Sequence, residues 1–356
     1  MEQSAIPFLS LYGSPREIGQ AHGEALRLLV RDNVGTYSAI FKHYADLTRE
    51  QVLARARLFV PVIEKFDPAL LEEIKGIAEA SGSLVEEIVA INSRTEIMFK
   101  ETPRAGECTA LAATPEATAS GQTLLGQNWD WMPTLDGHTV LLKMQQNDKP
   151  TVLTYTEAGI VAKIGLNAAG LGLCVNLLVS DGTAVGTPFH ILCRGILDSF
   201  SMSDAMKKIF GAPTGASVNY LVGHAGGEAI DFETNPRGVE YLYSRDGMMA
   251  HANHFESRLP VPDEGRKLFP DTILRSCRAG KLLAQQRGKI SVETLQTILQ
   301  DHFNYPNSIC RHPDSRAHEL EQMQTNASIV MNLTEQSLWL CANNPCKGTY
   351  MKTSLQ

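Results

Sequence analysis

The chain has 356 residues, 43% of them hydrophobic and 20% charged, with 32 Lys and Arg against 39 Asp and Glu for a net charge of −7. A mildly acidic balance offers no electrostatic footprint for a polyanion, which argues against nucleic-acid binding, and a chain this long buries an ample core without staples. Seven cysteines, Cys108, Cys174, Cys193, Cys277, Cys310, Cys341 and Cys346, make an odd set with no CxxC pair, and point to a reducing compartment, not a disulfide framework.

The start Met1-Glu2-Gln3-Ser4 lacks a basic region followed by an apolar stretch, so no secretory signal is expected. The most apolar run, Leu171 to Val179, is far short of the ~20 residues of a membrane span. A cytoplasmic protein is the expectation, with the sequons at Asn326 and Asn332 unused and no peroxisomal address in Ser354-Leu355-Gln356.

In chain order, the first hundred residues read as helices. Ser14-Pro15-Arg16-Glu17 is a capping box with proline at the first helical position, opening a stripe of Ile18, Ala21, Ala25 and Leu28. Asp67-Pro68 starts a second helix with Leu70, Leu71, Ile74, Ile77 and Ala78 on one face. Ser83 with Glu86 is expected to cap a third, running through Ile88, Val89 and Asn92 to Ile97. The polar segment Glu101 to Glu107 breaks this period. Strand-like runs follow at hairpin spacing: Cys108–Thr114, Thr123–Trp129, Val140–Gln146, Thr151–Thr156, Val161–Leu166 and Leu171–Leu177. They read as an antiparallel meander. A helical region from His190 to Phe210 precedes four more strands, Val218–Val222, Ala229–Glu233, Glu240–Ser244 and Met248–His251, with Gly223 to Gly227 as a hairpin turn. Helices over Gly265–Gln286 and Val292–Asp301 lead to closing strands near Ala327–Leu333, Ser337–Cys341 and Gly348–Lys352. Blocks of helices and strands in this order predict an α+β fold, a four-layer αββα sandwich of antiparallel sheets.

Chemistry concentrates between Gly106 and Asp130. A cysteine that begins the first strand of a two-sheet body, directly after a polar loop, stands where an N-terminal nucleophile would. For Cys174, Cys193, Cys277 and Cys341 the expectation is a small buried hydrophobe. His251 and His254 stand three apart, yet no third ligand at a recognisable spacing accompanies them, so no metal site is expected. Asn128 and Asp130 could equally cap a β-turn.

Eight stretches carry a resemblance: Pro15-Arg-Glu-Ile-Gly19 with His22-Gly23; Glu72-Glu-Ile-Lys-Gly-Ile-Ala78; Asn92-Ser-Arg-Thr-Glu96; Cys108-Thr109; Gly126-Gln-Asn-Trp-Asp130; Thr156-Glu-Ala-Gly-Ile160; His251-Ala-Asn-His254; and Asn304-Tyr-Pro-Asn-Ser-Ile-Cys-Arg311. Each is short, but their order over most of the chain resembles the acyl-coenzyme A:6-aminopenicillanic-acid (isopenicillin N) acyltransferases, members of the N-terminal-nucleophile (Ntn) hydrolase superfamily.

That resemblance implies a precursor that cuts itself between Glu107 and Cys108, giving a helical fragment 1–107 and a catalytic fragment 108–356 that stay together as an αβ heterodimer. Cys108 would then carry both thiol and α-amine, whose unperturbed pKa of ~7.7–8.0 suits it as the base for its own thiol. By the same resemblance Asn253 supplies an amide N–H to the oxyanion, Asp130 orients the α-amine and supports cleavage, and Arg311 is a pocket arginine for a substrate carboxylate or a charge near the reacting group. The implied activity is autoprocessed acyl transfer or amide hydrolysis through a Cys108 thioester, of the kind used in penicillin-type secondary metabolism. Acyl-coenzyme A is the expected co-substrate, with no bound cofactor. The other partners would be a small acyl donor and an amine acceptor. The alternatives are an N-acyl amide hydrolase acting on small amine conjugates and an unprocessed, non-catalytic binding relative. Glu107 and Ala110 motivate the last: where the penicillin enzyme has Gly-Cys-Thr-Thr, this chain has Glu107-Cys108-Thr109-Ala110, which places a negative charge beside a thiol that must ionise.

Overall fold

At the N-terminal end, Ser14 Oγ accepts the Glu17 backbone N–H while the Glu17 carboxylate accepts the Ser14 N–H at 2.8 Å, the expected reciprocal cap. The structure, a computed structural model, describes residues 6–98, 107–182 and 184–355, and of Glu107 its backbone alone. The rest of the expected processing segment therefore lies outside the described residues. Strand β1 (Phe8–Tyr12) precedes the helices α1 (Pro15–Ala25), α2 (Arg27–Ala45), α3 (Arg49–Phe66), α4 (Pro68–Ser81), α5 (Val85–Asn92) and α6 (Arg94–Met98). Two details differ from the sequence reading. The N-terminal segment is not wholly helical, because β1 joins a sheet. The third expected helix is capped one residue later, at Leu84 with Glu87, and breaks at Ser93 into α5 and α6.

The strands then alternate between two sheets. β2 (Glu107–Ala113) and β3 (Leu124–Trp131) belong to one; β4 (Thr139–Gln145), β5 (Val152–Glu157), β6 (Ile164–Asn167) and β7 (Leu171–Leu177) belong to the other. Helices α7 (Phe189–Leu197) and α8 (Met202–Gly211) follow, then β8 (Val218–His224), β9 (Glu228–Asn235), β10 (Gly238–Tyr243) and β11 (Met248–His251). After α9 (Gly265–Leu268), α10 (Asp271–Gln285) and α11 (Val292–Leu299), the chain closes with β12 (Gln324–Asn332), β13 (Ser337–Ala342) and β14 (Met351–Ser354). The eight-stranded sheet runs β1-β4-β5-β6-β7-β8-β9-β10 and the six-stranded sheet β11-β2-β3-β12-β13-β14. Every pairing is antiparallel except β1 with β4.

The sheets pack face to face so closely that a Cβ on Gly172 would lie 2.4 Å from Leu333. One core runs from the N-terminal helices through the sandwich, and a second lies between the six-stranded sheet and α10 and α11. These are the expected four layers.

The N-terminal motifs turn out to be packing devices. Helices α1 and α4 touch backbone to backbone: a Cβ on Gly19 would sit 2.0 Å from the Glu73 carbonyl oxygen, and one on Gly76 would sit 2.4 Å from that of Arg16. His22 Nε2 accepts the Gly159 N–H at 3.0 Å, while Asn92 donates to the Gly159 carbonyl and accepts the Val161 N–H. Three separate stretches thus lock the first hundred residues onto the β5–β6 connection.

Burial, with Arg194 adding to it, pushes the His22 imidazole down to about 4 from 6.5. The folded chain holds His22 neutral, so its contribution is complete above pH 6.5 and is lost as pH falls towards 4. The stability advantage of the wild type over His22→Gln should shrink by about 3 kcal/mol across that window in denaturant titrations. Buried carboxyls with raised pKa act with the opposite sign but are common to both proteins. Among the described residues no helix is long and apolar enough to cross a membrane.

Candidate active site

Cys108 is the second residue of β2, buried at the end of the six-stranded sheet. Its backbone is held at both ends. The N–H donates to Asn253 Oδ1 at 2.8 Å, and the carbonyl accepts from Arg275 Nη1 at 2.7 Å. Arg275 also donates to Asn253 Oδ1 at 3.0 Å and to Thr109 Oγ1 at 3.1 Å, so one guanidinium fixes the nucleophile, its successor and its partner. Asn253 follows β11 and is set in turn by its own N–H to Thr272 Oγ1 at 2.6 Å. Its Nδ2 donates to the Leu177 carbonyl at 2.9 Å. In the uncut chain, then, Asn253 grips the Cys108 nitrogen, and the amide N–H expected to serve an oxyanion is engaged elsewhere.

Side chains alternate along β3, so Gln127 and Trp129 point to one face of the sheet and Asn128 and Asp130 to the other. Cys108 pairs with Trp129 and faces the interior between the sheets, where a small cavity of about 20 Å³ is lined by Arg94, Cys108, Trp129, Lys163, Val175 and Phe189. Burial and then the Asp130 charge push the thiol up to about 12, while Lys163 and Gln127 pull the other way. Lys163 is fully buried, paired with Glu157 and 3.6 Å from the centre of the Trp129 ring. Its own pKa is lowered by burial to about 8, with Glu157 opposing. Glu157 also meets Arg94 at 3.2 Å and the Tyr37 hydroxyl at 2.5 Å, tying this charge cluster to the N-terminal segment.

Asp130 lies across from Glu107 in the β2–β3 register, on the face covered by α10 and the loop before β12. Its Oδ1 accepts from Thr325 at 2.7 Å, and its Oδ2 has no hydrogen-bond partner among the described residues. Burial raises this carboxyl to about 7 against the pull of Arg275 and Arg311. It is neither a turn cap nor exposed. Asn128, on the same face, donates to the Leu299 and Ile309 carbonyls at 2.8 Å each. Arg311 is buried and reaches Asp271 Oδ2 at 2.5 Å and Asn307 Oδ1 at 3.0 Å, while its N–H donates to Thr325 Oγ1. Asp271 bridges it to Arg275, 3.1 Å away.

The four expected residues Cys108, Asp130, Asn253 and Arg311 therefore converge, through Arg275, Asp271 and Thr325, which the sequence reading did not single out. Lys163 was missed as well, although a lysine within a strand-like apolar run is a readable signal. His251 and His254 are engaged by protein groups. Against its burial, Asp231 and Glu233 raise His251 to about 9, and its Nε2 lies 2.8 Å from Glu233; His254 Nδ1 lies 3.1 Å from Thr272 Oγ1. One cysteine departs from expectation: Cys277 is exposed, on the solvent side of α10, not a buried hydrophobe.

The acyl-coenzyme A:6-aminopenicillanic acid acyl-transferase family model matches residues 117–347. The 40 kDa form of acyl-coenzyme A:6-aminopenicillanic-acid-acyltransferase from Emericella nidulans is 32% identical over 303 residues, covering 84% of this chain and 83% of that protein. Protein dcd1B of Dictyostelium discoideum is 23% identical over 253 residues, 62% of this chain and 49% of its own length. Among solved structures, penicillin V acylase from Agrobacterium tumefaciens superposes with a TM-score of 0.49 at 12% identity, over 70% of this chain and 86% of that one. With the family model matched over more than half of it and a 32% identical relative spanning 84% of it, the chain belongs to the acyl-coenzyme A:6-aminopenicillanic acid acyl-transferase family.

Proposed function

We propose that the chain cuts itself between Glu107 and Cys108 and that the new N-terminal cysteine then carries acyl groups as a thioester. The observation that supports this best is the double grip on Cys108, Asn253 on its nitrogen and Arg275 on its carbonyl. Such a clamp leaves the sulfur to act while both backbone atoms of the future N-terminus stay fixed.

In the first reaction the sulfur adds to the Glu107 carbonyl carbon, the C–N bond to Cys108 breaks, and the departing nitrogen gains the proton that the thiol gives up. Water then opens the thioester to a Glu107 carboxylate and a free thiol. Asp130 flanks this peptide from the face opposite the thiol and, with a pKa near neutrality, exchanges a proton with the nitrogen side of the reaction. Asp130→Asn keeps the shape and removes the titrating group. It should slow cleavage by about 10²–10⁴-fold, read as the decay of intact chain by mass spectrometry.

After cleavage the Cys108 nitrogen is an amine that Asn253 Oδ1 still orients, and it takes the thiol proton. The Lys163 charge on the thiol's side favours the thiolate. Attack on an acyl donor, a coenzyme A thioester or an N-acyl amide, releases the donor's thiol or amine and leaves acyl-Cys108. An amine acceptor or water then regenerates the thiol. Family membership together with the Emericella relative favours acyl-coenzyme A as donor and a small amine such as 6-aminopenicillanic acid as acceptor. The test is to mix cut enzyme with a panel of acyl-coenzyme A thioesters and N-acyl amides. An acyl mass increment on the Cys108 peptide, discharged faster by amine than by water, is expected; no increment with any donor would overturn the proposal.

A further inference from the structure

We propose that His302, Cys310, His312 and Cys346 form a tetrahedral zinc site that clips the loop before β12 to the β13–β14 connection. Their four ligand atoms all lie within 4.8 Å of one another. His312 Nε2 contacts the other three, 3.1 Å from His302 Nε2, 3.7 Å from Cys310 Sγ and 3.5 Å from Cys346 Sγ. A single ring nitrogen offers one hydrogen-bonding position, as donor or as acceptor, and cannot serve three partners at once. A cation at the centre of the four atoms accounts for all the contacts together. With Zn–N near ~2.05 Å and Zn–S near ~2.3 Å, tetrahedral geometry separates two nitrogens by ~3.3 Å and a nitrogen from a sulfur by ~3.5 Å, close to the three spacings from His312 Nε2.

The ligand chemistry selects zinc. Two thiolates and two imidazoles in a closed tetrahedron suit it better than the harder cations, which take oxygen ligands. Binding releases two thiol protons to solvent, and the two thiolates then neutralise the divalent ion, so no net charge is buried. An outer shell is in place: Asn344 Nδ2 points at Cys310 Sγ from 3.9 Å and donates to the Arg311 carbonyl at 2.6 Å. The loop itself is folded back by Cys310 N–H to the Asp301 carbonyl and His312 N–H to that of Pro306, both 3.0 Å. Cys310 and His312 are buried, His302 is exposed and Cys346 is partly buried, which leaves an entry path for the metal.

The site lies outside the Cys108 cavity, and its place in the chain gives it a positioning role. Arg311 is the residue between two of the ligands, and its N–H holds Thr325, whose hydroxyl holds Asp130. Fixing both neighbours of Arg311 fixes this chain of contacts behind the scissile peptide. Metal binding itself does not depend on the proposed activity.

Elemental analysis of the full-length protein, purified without chelator, should find about one zinc per chain, falling to background in His302→Ala and in Cys346→Ser. His302 is exposed, so its replacement spares the core, and circular dichroism checks that both variants are folded. Protein stripped by a chelator and refilled with Zn²⁺ alone should regain the metal and protect Cys310 and Cys346 from alkylation; refilled with Co²⁺, it should show the intense visible bands of a tetrahedral thiolate site. Protein that takes up no zinc on refilling, with Cys310 and Cys346 freely alkylated or joined as a disulfide two hydrogens lighter, would overturn the proposal.

Discussion

Cys108→Ala should leave a single uncut chain of 356 residues and remove acyl transfer, lowering turnover by at least about 10⁴-fold against the wild type. The effect is this large because in the proposed mechanism one sulfur serves two reactions in sequence, and no other described cysteine lines its cavity. A serine at the same place separates the two. Its hydroxyl faces the cavity that Trp129 and Lys163 also line but is the weaker nucleophile, so slow cutting with little turnover is the expected outcome. Gel mobility follows the cut and a discontinuous thioester assay follows the turnover. Full turnover by the alanine variant would show that the chemistry lies elsewhere in the molecule.

The second large effect belongs to the seam between the two proposed fragments. Arg194 on α7 donates to both oxygens of Glu73 on α4, at 2.8 and 2.9 Å, and through Nε to Asp198 at 2.9 Å. Lys149 completes the group, reaching Asp198 and Asp67. Glu73 and Asp67 precede the Glu107–Cys108 bond; Arg194, Asp198 and Lys149 follow it. Arg194, Glu73 and Asp198 are buried, so salt screens them little. Removing one member of a buried ion cluster strands the others without a counter-charge, and Arg194→Met should cost about 3–5 kcal/mol. Chemical denaturation reads the loss directly. In the cut protein the same variant should release the fragment 1–107 at lower denaturant than wild type, whereas the double replacement Glu73→Gln with Arg194→Met should recover part of the stability. Equal midpoints for wild type and Arg194→Met would show that the apolar core alone holds the two pieces.

What could be read from the sequence followed from periodicity. The capping box at Ser14, the apolar face of α4 and the positions of β2 to β14 all rest on local patterns, and the structure places them within a few residues. Sheet membership is not local: hairpin spacing says that Trp131 and Thr139 are joined by a short connection, not that β3 and β4 lie in different sheets. Strand β1 escaped because its partner, β4, is some 130 residues away and pairs with it in parallel. The site shows the same division. Cys108, Asp130, Asn253 and Arg311 stand in stretches that resemble a known family, but Arg275 sits on α10 inside an ordinary amphipathic pattern, and nothing around it announces that its guanidinium reaches Cys108. The cluster of His302, Cys310, His312 and Cys346 is hidden for the same reason, since folding, not spacing, brings its last member beside the first three.

Every role proposed for Cys108 requires it to become the first residue of its own fragment, and the intact mass of freshly purified protein with the N-terminal sequence of each species tests that most directly. Two species are predicted, one ending at Glu107 and one of 356 − 107 = 249 residues beginning Cys108-Thr109-Ala110, eluting together under native conditions. A single active species of 39.0 kDa, with no break at Glu107–Cys108, would contradict it.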